Sequence, residues 1–196
     1  NSRVMPRAIK SPLPLTNTRA RHIWLQAQRL DTREPFGAGA GAVAAGVRQL
    51  GYVQIDSINV IERCHHHILF SRIPTYRRVD LRQAQSSDKS VFEFWTHALA
   101  YVPSEDLRFF IADMKDYKQF KRNPGRWFKS VTPKDLRKVL RLVRRDGALT
   151  IRDIEDDVLQ DKLHLWASRK PSKRALEYAF FIGALAISER NGMLKT

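Results

Sequence analysis

Gln54 and Asp56 flank a single isoleucine in GYVQIDSI, residues 51–58. The run reads as a short buried strand, and on a strand residues two apart share a face. One face therefore carries Tyr52, Gln54 and Asp56, and the other Val53 and Ile55. A carboxylate in apolar surroundings is costly unless it is hydrogen-bonded or its ionisation has a use. The two groups suggest a division of labour. A carboxylate takes a proton from water or stabilises a developing cation. A carboxamide does not titrate, but holds a water with one donor and one acceptor. A structural alternative stands beside this chemistry: Asp56 caps a helix beginning at DSIN, and Gln54 bonds to backbone.

Cys64-His65-His66-His67 is the next cluster. On a helix three consecutive histidines point about 100° apart. Cys64 and His67 share a side, which gives two ligands where a structural zinc site takes four. No second Cys/His cluster exists, so no metal is expected. His66, with Trp95 and His97 of FEFWTH, is a candidate for substrate contact, a stacking surface with polar handles. The alternative is ordinary core packing. Gly39, Gly41 and Ala44 fit G-x-G-x-x-A, but no apolar strand precedes them, which excludes a dinucleotide site.

The chain carries 35 Lys and Arg against 20 Asp and Glu, a net charge of +15 over 196 residues. From Lys115 to Arg145 twelve basic residues meet two acids. Such a field is the footprint of a polyanion binder. Lys121, Arg122, Arg126 and Lys129, followed by Lys170, Lys173 and Arg174, are candidate phosphate contacts. A solvated basic face is the plainer alternative. No long basic amphipathic helix argues for a membrane surface, and no apolar stretch reaches the roughly 18 residues of a membrane span. One cysteine excludes an internal disulfide and suits a reducing cytosol.

The elements that must position these residues are mainly helical. Thr16 or Asn17 caps a helix with Ala20, Ile23, Trp24, Ala27 and Leu30 at helical spacing. Small residues from Gly37 make a second helix that packs closely and ends at Gly51. A strand at YVQID leads into a helix from Ser57, with Val60, Ile61, Cys64, Ile68 and Leu69 on one side. VFEFWTHALAYVP reads as two strands around a turn, and Ser104 caps the following helix. Thr132, Pro133 and Asp135 open a helix that Gly147 stops. Thr150 and Asp153 open another, Lys170 to Gly183 a third, and Asn191-Gly192 turns a final hairpin. Helix, helix, helix, hairpin is the order of a winged helix-turn-helix.

Four segments together resemble the YcaQ/AlkZ family of bacterial DNA glycosylases: LGYVQIDSI, ERCHHHILFSRI, FEFWTHALAYVP and KPSKRALEY. The resemblance runs from about Thr16 to the end of the chain. It implies a mainly α fold with small β-hairpin wings, built from tandem winged helix-turn-helix domains. A flexible tail at 1–15, a first domain at 16–130 and a second, with a truncated wing, at 131–196 are then expected. The family's third domain is not expected within these residues. The resemblance further implies hydrolysis of the glycosidic bond of N7-alkylated purines and the unhooking of interstrand crosslinks. Gln54-Ile55-Asp56 matches the family's catalytic motif in its Asp-bearing branch. Asp56 would stabilise the sugar cation and activate water, and Gln54 would position that water, without metal or organic cofactor. The expected partner is duplex DNA with alkylated bases, met by a monomer at the nucleoid in the cytoplasm. A winged-helix regulator without catalysis is the rival reading.

Overall fold

The computed structural model describes residues 12–119, 128, 130–156, 159 and 168–196. Most of the expected tail, the connection carrying Lys121, Arg122, Arg126 and Lys129, and residues 157, 158 and 160–167 lie outside the described residues. The described chain mixes helices with small antiparallel sheets. No helix among the described residues is long and apolar enough to cross a membrane.

Helix α1 (Asn17–Ala27) begins as its sequence dictates, with Thr16 Oγ1 accepting the Arg19 N–H at 3.2 Å. Its apolar stripe does not enter a core. No residue of the helix is buried, and Trp24 is 70% exposed. The chain just after it is held by Arg72, whose Nε donates to the Gln28 carbonyl at 2.9 Å.

Helix α2 (Gly39–Leu50) buries Ala40, Ala42, Val43, Gly46 and Val47. These small side chains let it lie close against α4 (Arg78–Ser86). Gly51, at φ 79°, ends the helix in a conformation that glycine adopts without a Cβ penalty. Strand β1 (Val53–Gln54) follows, then α3 (Cys64–Phe70), α4, β2 (Val91–Trp95) and β3 (Leu99–Pro103). The sheet order is β1-β3-β2, antiparallel throughout.

The helix expected from Ser57 starts only at Cys64. Asp56 Oδ1 accepts the Ile58 N–H at 2.8 Å, an Asx turn that competes with helix formation. The β-branched Ile58, Val60 and Ile61 add little helical preference. Val60 and Ile61, expected on the buried side, are both 88% exposed. Ser104 likewise does not cap an α-helix. A 3₁₀ turn covers Ser104–Asp106, and α5 (Leu107–Lys118) begins after it.

Pairing assigns the sheet's two faces. Val53 and Glu93 both stand opposite Tyr101, and Gln54 and Phe94 both stand opposite Ala100. The Val53–Tyr101 face packs on Val43, Val47, Leu69, Ile73 and Leu81. The Phe94 face packs with Val102 on Phe180, with Phe92, Phe110 and Met114 around them.

The second half begins with α6 (Pro133–Asp146), whose Thr132–Asp135 capping box forms as expected. Val139 packs with Ile154 and with Ala175 of α7 (Pro171–Phe181). Thr150 and Asp153 meet as expected, Thr150 N and Oγ1 each donating to Asp153 Oδ2 at 2.8 Å, while Thr150 Oγ1 accepts the Arg152 N–H at 3.2 Å. These bonds close a turn, and no helix follows through residue 156. A hairpin of β4 (Arg190–Asn191) and β5 (Leu194–Lys195) ends the chain. Its turn residues are Gly192 and Met193, one position later than Asn191-Gly192, because Asn191 pairs with Leu194. Only Gly192 of the two has positive φ, which suits a type II′ turn rather than type I′.

The contacts that join the halves include an aromatic pair and a buried ion pair. Phe180 of α7 lies 5.4 Å, ring to ring, from Phe94 of the sheet. Arg190 of the hairpin donates from Nε and Nη2 to the two Glu93 oxygens, each at 2.6 Å, with both side chains buried.

Candidate active site

Gln54 is half-buried at the end of edge strand β1, on the Phe94 face of the sheet. The ladder runs one residue further, through Ile55 N–H to the Leu99 carbonyl at 2.8 Å. Ile55 is buried in the opposite core. The pleat therefore keeps Asp56 on the Gln54 side. The Asp56 carboxylate is half-buried, with Oδ1 held by the Ile58 N–H. Among the described residues Oδ2 has no hydrogen-bond partner and stays free to meet a ligand or a water.

Cys64 backs this motif. Its thiol donates to the Gln54 carbonyl at 3.3 Å and so fixes the strand's end. Burial first, and the Asp56 charge second, push the thiol's pKa up, which keeps it a protonated donor. Tyr52 and His97 meet edge to face at 5.3 Å, both exposed. Trp95 sits beside His97 at the β2–β3 turn and stacks on Phe181 at 5.9 Å, with one surface left open. Tyr52, Gln54, Asp56 and His97 thus arise from two neighbouring strand ends. Asp56 there shares a side of the pleat with the half-buried Gln54 carboxamide.

His66 does not join them. Its Nδ1 bonds the Tyr76 hydroxyl at 2.6 Å, and burial lowers its pKa. It lines a pocket with His65 and Tyr101, from the sheet face opposite Gln54. Among the described residues no group of three or more His, Cys, Asp or Glu could hold a metal ion.

The basic residues divide by what they touch. Lys170 Nζ donates to the Ile151 and Ile154 carbonyls at 3.2 and 3.0 Å. Arg174 is buried and donates to Ser130 Oγ and the Ser168 carbonyl. Both hold the second half together. Lys173 borders a mainly apolar pocket of about 800 Å³ between α6, α7 and the hairpin. Lys134, Arg137, Arg141 and Arg144 instead stand exposed at helical spacing along one side of α6.

Sequence reasoning did not identify the thiol behind Gln54, nor the bridge from Glu93 to Arg190. Glu93 carried a signal, an acid inside the apolar strand VFEFW. Its partner 97 residues away carried none.

No solved structure matches this chain. The family model described as DNA glycosylase AlkZ-like matches residues 47–196, which include the Gln54-Ile55-Asp56 motif, the sheet, α7 and the hairpin. The chain belongs to the AlkZ-like DNA glycosylase family.

Proposed function

We propose that this chain is a monofunctional glycosylase for cationic N7-alkylated purines in duplex DNA, with Asp56 and Gln54 as its catalytic residues. The observation that carries the reading is the shared side of Gln54 and Asp56, with one Asp56 oxygen fixed and the other free. An N7-alkylated purine already bears positive charge, so the C1′–N9 electron pair leaves with the base and needs no general acid. The deoxyribose is left cationic. Asp56 stabilises that cation and accepts the proton of the attacking water, which Gln54 aims. Water's oxygen forms the new bond to C1′, and the products are a neutral free base and an abasic site. Interstrand crosslinks made through N7 present the same leaving group and are substrates by the same chemistry.

The element order α2, β1, α3, α4, β2, β3 is that of a winged helix, with β1 joining the wing's sheet at β3. It supports a first winged-helix unit up to about residue 130. The helices and hairpin of residues 131–196 support a second. The test is incubation with a duplex carrying one N7-methylguanine, then alkali. Strand cleavage at the lesion after alkali, and none before it, is the expected result. A duplex bound but left intact would favour the winged-helix regulator.

A further inference from the structure

A pocket of about 230 Å³ lies on the sheet face away from Gln54, between α3, α4 and the final hairpin. Its lining includes Arg63, His65, Arg78, Arg82 and Arg190. Three of the four guanidiniums are matched: Arg78 by Glu62, Arg82 by Glu189 at 3.6 Å, and Arg190 by Glu93. Arg63 pairs with no acid among the described residues, and its Nε is buried without a partner. His65 is only 3% exposed, and its Nδ1 is also buried without a partner. A buried polar group left unsatisfied costs about 1–3 kcal/mol. Two of them in one pocket point to an acceptor that belongs there.

The chemistry of that acceptor follows from its surroundings. Burial, then His66, Arg190 and Arg63, hold the His65 pKa down to about 3. At neutral pH the ring is uncharged and has one N–H to give, which the tautomer can place on Nδ1. Four arginines against three glutamates leave one positive charge unmatched. A neutral water would satisfy an N–H but not that charge. The pocket is smaller than the roughly 300–1,000 Å³ of sites that enclose a whole organic ligand. It has room for one tetrahedral oxyanion and a few waters, not for a nucleotide.

We propose that this pocket seats a single phosphate group, with Arg63 Nε and His65 Nδ1 as donors, as an anion site separate from Gln54 and Asp56. The phosphate comes either from solution or from a DNA strand. Its seat spans the first half, through Arg63 and His65, and the hairpin, through Arg190.

The test is titration of the full chain with inorganic phosphate at constant ionic strength, followed by calorimetry or ³¹P NMR. One saturable site is expected, weakened at least tenfold in Arg63→Gln and in His65→Leu. Arg63 is only half-buried, so its variant stays interpretable if His65→Leu fails to fold. A labelled duplex separates the sources. If DNA supplies the phosphate, inorganic phosphate displaces the duplex and Arg63→Gln weakens duplex binding. If solution supplies it, duplex binding responds to neither while phosphate still binds. Absence of saturable phosphate binding, or parental affinity in Arg63→Gln, would overturn the proposal. Base excision is not the readout, so the result stands apart from that of the glycosylase assay.

Discussion

At the scale of single residues, Asp56 does two things that substitution can separate. Its Oδ1 closes the turn onto the Ile58 N–H, and its charge is what the proposed chemistry uses. Asparagine keeps the first and removes the second. Asp56→Asn should therefore fold as the parent, bind duplex equally or more tightly, and lose about a hundredfold or more in single-turnover excision, the size expected for one electrostatic stabiliser. Gln54→Ala should lose less, because water keeps other partners. Parental excision by folded Asp56→Asn would remove Asp56 from the mechanism. His65 yields a second expectation, on stability. Its folded pKa, about 3, lies below its ordinary value of 6.5, so the unfolded chain binds more protons between those pH values. Stability should be complete above about pH 6.5 and decline as pH falls toward 3. Between pH 7 and pH 5 this group should contribute a loss of about 2 kcal/mol. Urea midpoints in phosphate-free buffer should show that loss in the parent and a smaller one in His65→Leu.

At the scale of elements, what was legible in the sequence was what neighbours in the chain decide. The Thr132–Asp135 box, Pro133 and Gly147 bound α6 because caps act over one turn. Strands β2 and β3 followed from an aromatic, β-prone run broken by a turn. The Gln54-Ile55-Asp56 spacing placed both candidate groups on one side of the pleat. What was not legible depends on contacts distant in sequence, or on local competition. The side chain of Asp56 delays α3 to Cys64, and the stripe of α1 faces no core. The Glu93–Arg190 bridge is the strongest such case, since it pins the hairpin to the first sheet with Gln85 also bound to Glu93 at 2.9 Å. Removing one partner leaves the other charge buried. Glu93→Leu or Arg190→Met alone should cost about 3–5 kcal/mol, while the two together should recover much of it. Additive single-variant losses in urea unfolding would show that the bridge does not couple the halves.

At the scale of the whole molecule, a net charge of +15 sets the expectation for any polyanion. The charge is not all available. Arg174 and Lys170 serve the protein's own carbonyls and hydroxyls, Arg190 serves Glu93, and Arg145 serves Asp146 at 2.6 Å. Lys134, Arg137, Arg141 and Arg144 are differently placed, in an exposed row on α6. If that row lies along a phosphate backbone, each contact releases counterions, and log affinity falls with log salt by about 0.9 per phosphate. Arg137→Gln with Arg141→Gln should then reduce the slope by about 1.8 and weaken binding to damaged and undamaged duplex alike, since phosphates carry no base information. Lys170→Gln should behave in the opposite way. Its loss frees two carbonyls and lowers stability, while the salt slope of the folded fraction stays at the parental value. Fluorescence anisotropy across a salt series, paired with urea unfolding of each variant, measures both quantities. A slope unchanged in the α6 pair but reduced in Lys170→Gln would move the DNA contact from the exposed row to the start of α7.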